Sequence, residues 1–66
     1  MKGTVKNYKA DKRFGFIVGA DGRTEYFFHA SAVKNANSES IREGMEVEFE
    51  PAESDKGPRA EDVYLS

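Results

Sequence analysis

The sequence predicts an all-β fold in which five short antiparallel strands close into a small barrel. Short segments that alternate between apolar and polar residues recur between turn signals, and no apolar periodicity is long enough to indicate a helix. The chain has 66 residues and no cysteine, so we expect one domain, residues 1–66, with a small apolar core and no disulfides. Closing five strands into a barrel also removes exposed sheet edges.

Three strands are predicted in the first half of the chain. They are GTVKNY (3–8), RFGFIV (13–18) and TEYFFH (24–29). Between the second and the third, Asp21-Gly22 favours the positive φ angles of a tight hairpin turn. A segment rich in Ser, Asn and Ala follows, in which we expect a helical turn near residues 31–34 and otherwise a loop.

Two further strands are predicted in the second half. MEVEFE (45–50) alternates strictly between apolar and acidic residues, as a half-buried strand does. Pro51 cannot donate a backbone hydrogen bond, so this strand either ends there or becomes an edge. A turn at SDKGPR (54–59) leads to the last strand, AEDVYL (60–65).

Charge is divided unevenly along the chain. The net charge is −2, but residues 1–35 contain seven basic and three acidic residues, a local balance of +4, and the remainder is −6. Such a division indicates that one part faces phosphate while the other keeps the protein in solution. The alternative is that surface charges fall unevenly by chance.

The aromatic residues of the second and third strands admit two orientations. Alternation alone favours Phe14 and Phe16 as core residues. In the partner strand, however, Phe27 shares a face with His29, and histidine meets water more often than it fills a core. With that face outward, the core consists of Val5, Ile17, Tyr26, Phe28, Val33, Ile41, Met45, Val47, Phe49, Val63 and Leu65.

An exposed group of aromatic rings indicates a binding surface, because monomeric proteins seldom leave a large apolar patch open to water. Nucleobases suit it, since each presents a flat face that stacks on an aromatic side chain. Lys6, Lys12 and Arg13 belong to the same strands or turns and can neutralise phosphates. Aromatic and basic residues interleaved in this way predict single-stranded nucleic acid as the partner.

Four stretches of the chain resemble the bacterial cold-shock protein family. They are GTVKNYKADKRFGFI (3–17), YFFHASAV (26–33), IREGMEVEFE (41–50) and KGPRAEDV (56–63), and the first two contain ribonucleoprotein-like motifs, here KRFGFI and YFFHAS. The resemblance covers essentially the whole chain. It implies a five-stranded antiparallel OB-like Greek-key barrel that binds single-stranded RNA or DNA across its first three strands and acts as an RNA chaperone without ATP.

The resemblance also implies a nucleic-acid-binding role for eight residues of this chain. The family's base-stacking positions are occupied by Phe14, Phe16, Phe27 and His29. The remaining four are Lys6 and Lys12 at backbone-contacting positions, Lys56 at a loop position that is often basic, and Tyr8 at the margin of the binding face.

The chain departs from the family's pattern at four positions. Asn7 stands where tryptophan is usual, and Ala30 and Ser38 stand where phenylalanine is common. Since each lost ring forfeits about 1–3 kcal/mol of stacking, a total of about 4 kcal/mol would weaken binding about a thousandfold. Arg13 replaces a common glycine and adds a charged, stackable guanidinium.

Catalysis and metal binding are not expected. His29 is the only histidine and there is no cysteine, so a metal site of several such ligands is excluded. The serines lack an accompanying base and acid, and the glycines do not form a phosphate-binding loop before a helix. We therefore expect no enzyme activity, cofactor or small-molecule substrate. No membrane span or signal peptide is recognised, and we expect a cytoplasmic protein.

Two functions from different classes remain at this point. The first is a binding module for single-stranded RNA or DNA with little base preference. The second is a barrel of weakened nucleic-acid affinity that acts in protein association or as a structural module, and it is motivated by Asn7, Ala30, Ser38 and the acidic C-terminal half. We expect a monomer, with a strand-exchanged dimer as the alternative.

Overall fold

The five predicted strands form a closed barrel. The structure, a computed structural model, describes residues 1–65 except for the side chain of Ser38. Its strands are β1 (Lys2–Lys9), β2 (Phe14–Gly19), β3 (Glu25–His29), β4 (Glu46–Ser54) and β5 (Gly57–Leu65). Single turns of 3₁₀ helix lie at Ala30–Ala32 and Ser38–Ser40, the first of them slightly before the predicted turn at 31–34. In the described part of the chain, no helix has the length and apolar character needed to cross a membrane.

The strands follow one another around the barrel in the order β1-β2-β3-β5-β4. Four of the five pairings are antiparallel, as predicted, but β3 and β5 pair in parallel, with Phe27 opposite Arg59. This difference arises because β4 lies beside β1 and antiparallel to it, so that β4 also runs opposite to β3. β5 is antiparallel to β4 and therefore runs in the same direction as β3, beside which it lies.

β4 continues beyond the predicted end of the strand. It pairs with β1 through Glu46–Glu48 and with β5 as far as Ser54. Pro51 therefore lies in the portion of β4 that β1 no longer flanks, which is the edge position that its missing N–H group favours. β5 correspondingly begins at Gly57, three residues earlier than predicted.

The core agrees closely with the alternation of the strands. Nine of the eleven predicted core residues are buried, while Met45 and Leu65 are partly buried against them. Ala60 is also buried, at 3 % exposure, although its small side chain gave no signal in the sequence. Tyr26 packs on Phe49 with a centroid distance of 4.9 Å. Phe14, Phe16 and Phe27 are absent from this core.

An irregularity in β1 determines how its outer side chains meet β2. The register shifts between Val5 and Asn7, so that Val5 lies opposite Ile17 but Asn7 lies opposite Phe16. Beyond this bulge the two backbones lie so close together that a Cβ atom on Gly15 would be only 2.2 Å from the carbonyl oxygen of Asn7. Glycine is therefore required at residue 15.

Candidate nucleic-acid interface

Three phenylalanines and one histidine form a continuous surface on the outside of β2 and β3. Phe16 is paired with Phe27, and Phe14 with His29. The ring centroid of Phe27 lies 5.5 Å from that of Phe14 and 6.1 Å from that of Phe16, and the two β2 rings are 6.5 Å apart. We call these four residues, Phe14, Phe16, Phe27 and His29, the ring platform.

The ring platform is open to solvent. Phe27 is 38 % exposed, His29 is exposed, and the two β2 phenylalanines are half-buried by their neighbours. The alternate residues of the same strands, including Ile17 and Phe28, are buried in the barrel. The outward orientation that His29 indicated is the one the structure has, because only one face of each strand can line the core.

His29 is held in place by the turn that follows β3. Its Nδ1 atom accepts a hydrogen bond from the backbone N–H of Ser31 at 3.1 Å and lies 3.0 Å from the Ser31 hydroxyl oxygen. Because Nδ1 is an acceptor, the neutral ring has its hydrogen on Nε2. His29 therefore offers a flat face and one N–H donor at the end of the ring platform.

The three predicted phosphate-binding lysines occupy different surroundings. Lys6 is exposed at the bulge of β1, where its Nζ lies 2.6 Å from Glu25 Oε2. Lys12 is exposed in the turn that leads into β2 and Phe14. Lys56 is exposed between β4 and β5, three residues before Arg59. In the parallel β3–β5 register, Lys56 thus lies toward the Glu25 end of β3.

Two basic residues that were not among the predicted site residues border the ring platform. Lys9 is paired with Phe14, and Arg59 is paired with Phe27. Lys9 reaches this position because of the bulge in β1, for which the sequence gives no local signal. Arg59 reaches it through the parallel pairing of β3 and β5, which local alternation does not reveal.

Tyr8 lies on the other side of β1 from the ring platform, packed against the core, and its predicted place at the margin of the binding face stays a prediction. Its ring stacks on the buried Phe28, with centroids 5.9 Å apart and an interplanar angle of 19°. The Tyr8 hydroxyl is buried and has no hydrogen-bond partner among the described residues. Beyond the bulge, it is Asn7 that shares the outer face with Phe16.

The departures from the family pattern also have defined places. Asn7 is half-buried beside Phe16, and its Oδ1 atom has no partner among the described residues. Ala30 is half-buried directly after His29, and its N–H donates to the Arg13 carbonyl oxygen at 2.8 Å. Arg13 itself adopts a φ of 61°, the left-handed region that favours glycine. The side chain of Ser38 lies outside the described residues.

The acidic residues of β4 lie on a different side of the barrel from the ring platform. The outward residues of β4 include Glu46, Glu48 and Glu50, all exposed. β1 and β5 separate β4 from the two strands that carry the ring platform. The acidic face of β4 is therefore separated by a strand on each side from the ring platform, whose Phe14 end Lys9, Lys12 and Arg13 adjoin.

Comparison with known proteins agrees with this arrangement. The model of the "Cold-shock" DNA-binding domain family matches residues 1–66. The chain belongs to this family. Among its relatives, Cold shock protein 2 of Lactiplantibacillus plantarum is 44 % identical over 61 residues, 92 % of this chain and 91 % of that protein.

Two further cold-shock relatives cover a similar share of the chain. Cold shock protein CspA of Staphylococcus saprophyticus is 45 % identical over 62 residues, 94 % of this chain and 92 % of its own length. Cold shock-like protein CspB of Escherichia coli is 42 % identical over all 66 residues, 93 % of its own length. The family resemblance inferred from the motifs is thus confirmed over the complete barrel.

Proposed function

We propose that this cold-shock domain binds single-stranded RNA or DNA by stacking bases on the ring platform. The observation that supports this most strongly is the grouping of Phe14, Phe16 and Phe27, whose ring centroids lie 5.5–6.5 Å apart on the outside of the barrel. Aromatic rings of successive strands provide several stacking faces for one nucleic-acid strand. Stacking is tolerant of sequence because every base has a π face.

Phosphate neutralisation is the second part of the proposal. Lys9 and Lys12 flank the Phe14 end of the ring platform, and Lys56 lies beyond its other end. With two or three phosphates neutralised, log K falls with log salt at a slope of about −2, from about −0.7 per contact on single strands. The small slope distinguishes stacking from binding dominated by charge.

The direct test is a titration of fluorescein-labelled heptathymidine, followed by fluorescence anisotropy at low and high salt. We expect Phe14→Ala and Phe27→Ala each to weaken binding about 5- to 150-fold, which corresponds to about 1–3 kcal/mol per stacked base. Tyr64→Ala is the control, because Tyr64 is 49 % exposed and is paired with Glu48 of β4, away from the ring platform.

Two results would contradict this proposal. Saturable binding that is insensitive to both phenylalanine substitutions would place the nucleic acid on another surface. If the folded protein binds no oligonucleotide but pulls down a defined partner protein, the function is protein association instead.

Chaperone activity follows from the same surface. A protein that binds only the unpaired form of an RNA shifts a weak hairpin toward its open form by mass action, without ATP. We expect the protein to increase the open fraction of a fluorophore-labelled RNA hairpin of low stability. Phe27→Ala should lose this effect in proportion to its loss of affinity, and Tyr64→Ala should keep it.

A further inference from the structure

A small pocket adjoins the ring platform where β3 and β5 run in parallel. It has a volume of about 150 Å³, and the residues that line it include Phe27, His29, Arg59 and Glu61. Because paired residues of neighbouring strands share a face, Arg59 lies on the same outer face as Phe27, while Ala60 is buried. A base stacked on Phe27 would therefore turn one edge toward Arg59.

Glu61 accepts two hydrogen bonds from the Arg59 guanidinium and so orients it. The Nε and Nη2 atoms of Arg59 both donate to Glu61 Oε2, the first at 2.8 Å. Each side chain is nearly half exposed. Within residues 1–65, the structure shows no acceptor for Nη1. The end of the guanidinium, with one N–H of Nη1 and the second N–H of Nη2, thus presents two parallel donors.

We propose that Arg59 and Glu61 form a guanine-selective subsite at this end of the ring platform. Guanine presents two adjacent acceptors, O6 and N7, that match the two donors of an arginine fork, and its two-ring face stacks on Phe27. Adenine has an acceptor beside a donor on the same edge, and thymine has a single acceptor there. The subsite rests on the proposed function and adds selectivity for one base to an otherwise tolerant surface.

The ion pair also explains why a base edge, rather than a phosphate, is the ligand. Glu61 neutralises the charge of Arg59, so the pair attracts a phosphate weakly. The directional N–H groups of the guanidinium are unaffected by this neutralisation. A buttressed arginine is therefore suited to reading hydrogen-bond acceptors, while Lys9, Lys12 and Lys56 supply the unpaired charge.

The experiment compares heptathymidine with the same oligonucleotide carrying guanine, 7-deazaguanine or cytosine at its centre. We expect the guanine oligonucleotide to bind about tenfold more tightly than heptathymidine, the scale of one bidentate base contact. Since 7-deazaguanine keeps the two-ring face but lacks N7, it should lose most of this gain. Cytosine, whose O2 and N3 are also adjacent acceptors but whose face is smaller, should bind less tightly than guanine.

Substitutions test the two residues separately. Arg59→Lys keeps the charge but removes the planar fork, and we expect it to remove most of the preference for guanine over thymine, leaving only the part due to the larger ring face of guanine. Glu61→Gln leaves Arg59 unbuttressed and should lower this preference partly. Arg42→Lys, which changes an arginine bonded to the carbonyl oxygens of Glu39 and Ile41, should retain the original preference.

The possible outcomes separate this inference from the proposed function. If no oligonucleotide binds, both are overturned. If all oligonucleotides bind equally, or if Arg59→Lys keeps the guanine preference, only the subsite is overturned. A loss of affinity in Arg59→Lys that is equal for all oligonucleotides would identify a phosphate contact and would also overturn the subsite.

Discussion

Lys6 Nζ lies 2.6 Å from Glu25 Oε2, so a lysine predicted to bind phosphate is already paired with a carboxylate. Glu25 lies on β3 two residues before Phe27, opposite Val18. A phosphate must therefore compete with Glu25 for Lys6. This pairing, together with Arg59–Glu61, leaves Lys9, Lys12, Arg13 and Lys56 as the basic side chains near the ring platform that form no ion pair within residues 1–65.

Releasing Lys6 should strengthen nucleic-acid binding. We expect Glu25→Gln to raise the affinity for heptathymidine and to steepen the salt dependence by about 0.7 in log–log slope, the value of one phosphate contact. Stability should change by less than about 1 kcal/mol, because both side chains are about half exposed. Glu48→Gln, on the acidic side of the barrel, is the matched control. An unchanged slope in Glu25→Gln would show that Lys6 contacts no phosphate.

Arg13 combines backbone strain with a position next to Phe14. Its φ of 61° is unfavourable for any residue with a Cβ atom, so Arg13→Gly should raise the free energy of unfolding by about 1 kcal/mol. Arg13→Ala removes the same guanidinium but keeps the backbone strain, so its free energy of unfolding should not exceed that of the unsubstituted protein. Urea unfolding measures both. Equal stabilities of the two variants would show that the strain at this residue is negligible.

Asn7 occupies the outer face beside Phe16, where a larger ring would extend the ring platform. We expect Asn7→Trp to raise the affinity for heptathymidine about tenfold, within the 1–3 kcal/mol of one stacking contact. Asn7→Leu is the control, because it also removes the unpartnered Oδ1 atom but supplies no π face. An equal gain in both variants would attribute the effect to the loss of that buried oxygen.

Much of the fold could be predicted because its determinants are local. Strict alternation, as in 45–50, identifies both the strands and the buried residues, and Gly22 adopts the positive φ of 72° expected of its turn. For the outward face of β2, alternation alone favoured the opposite orientation, whereas His29 in the partner strand, which meets water more often than it fills a core, and the family resemblance favoured the one observed. This argument required only that the two strands form a hairpin.

The remaining features depend on contacts between distant segments. The bulge in β1 reverses the side-chain alternation after Val5, which turns Tyr8 inward and brings Lys9 beside Phe14. The parallel β3–β5 pairing joins residues more than thirty positions apart and sets Arg59 beside Phe27. Neither the bulge nor the parallel pairing follows from local propensity, because tertiary packing decides where a strand takes up an extra residue and which strands become neighbours.

The Tyr8 hydroxyl offers a test of how the inner face tolerates a polar group. It is buried without a partner among the described residues, and such a group costs about 1–3 kcal/mol. We expect Tyr8→Phe to raise the free energy of unfolding by about 1 kcal/mol while keeping the stacking on Phe28. Tyr64→Phe, at an exposed ring, should change stability by less than about 0.5 kcal/mol. Destabilisation of Tyr8→Phe would indicate an acceptor for the hydroxyl.

Asp21 should make the β2–β3 turn sensitive to acid. Its Oδ1 atom accepts from the N–H groups of Arg23 at 2.9 Å and Thr24 at 3.1 Å, and Oδ2 accepts from the Thr24 hydroxyl at 2.9 Å. These hydrogen bonds, that of Arg23 first, lower the pKa of the Asp21 carboxyl below its ordinary value of 3.8. The native state therefore binds the proton less readily than the unfolded chain.

The contribution of Asp21 to the free energy of unfolding is therefore complete above the pKa that the carboxyl has in the unfolded chain. It is lost as the pH falls through the lower pKa that the carboxyl has in the folded protein. We expect Asp21→Asn to be less stable than the unsubstituted protein at pH 7 and the difference between them to shrink below about pH 4. Urea unfolding across this range measures the difference, and Asp55→Asn controls for removing a carboxylate from a turn. A difference that stays constant down to the lowest pH at which both fold would show that the three hydrogen bonds do not favour the ionised carboxylate.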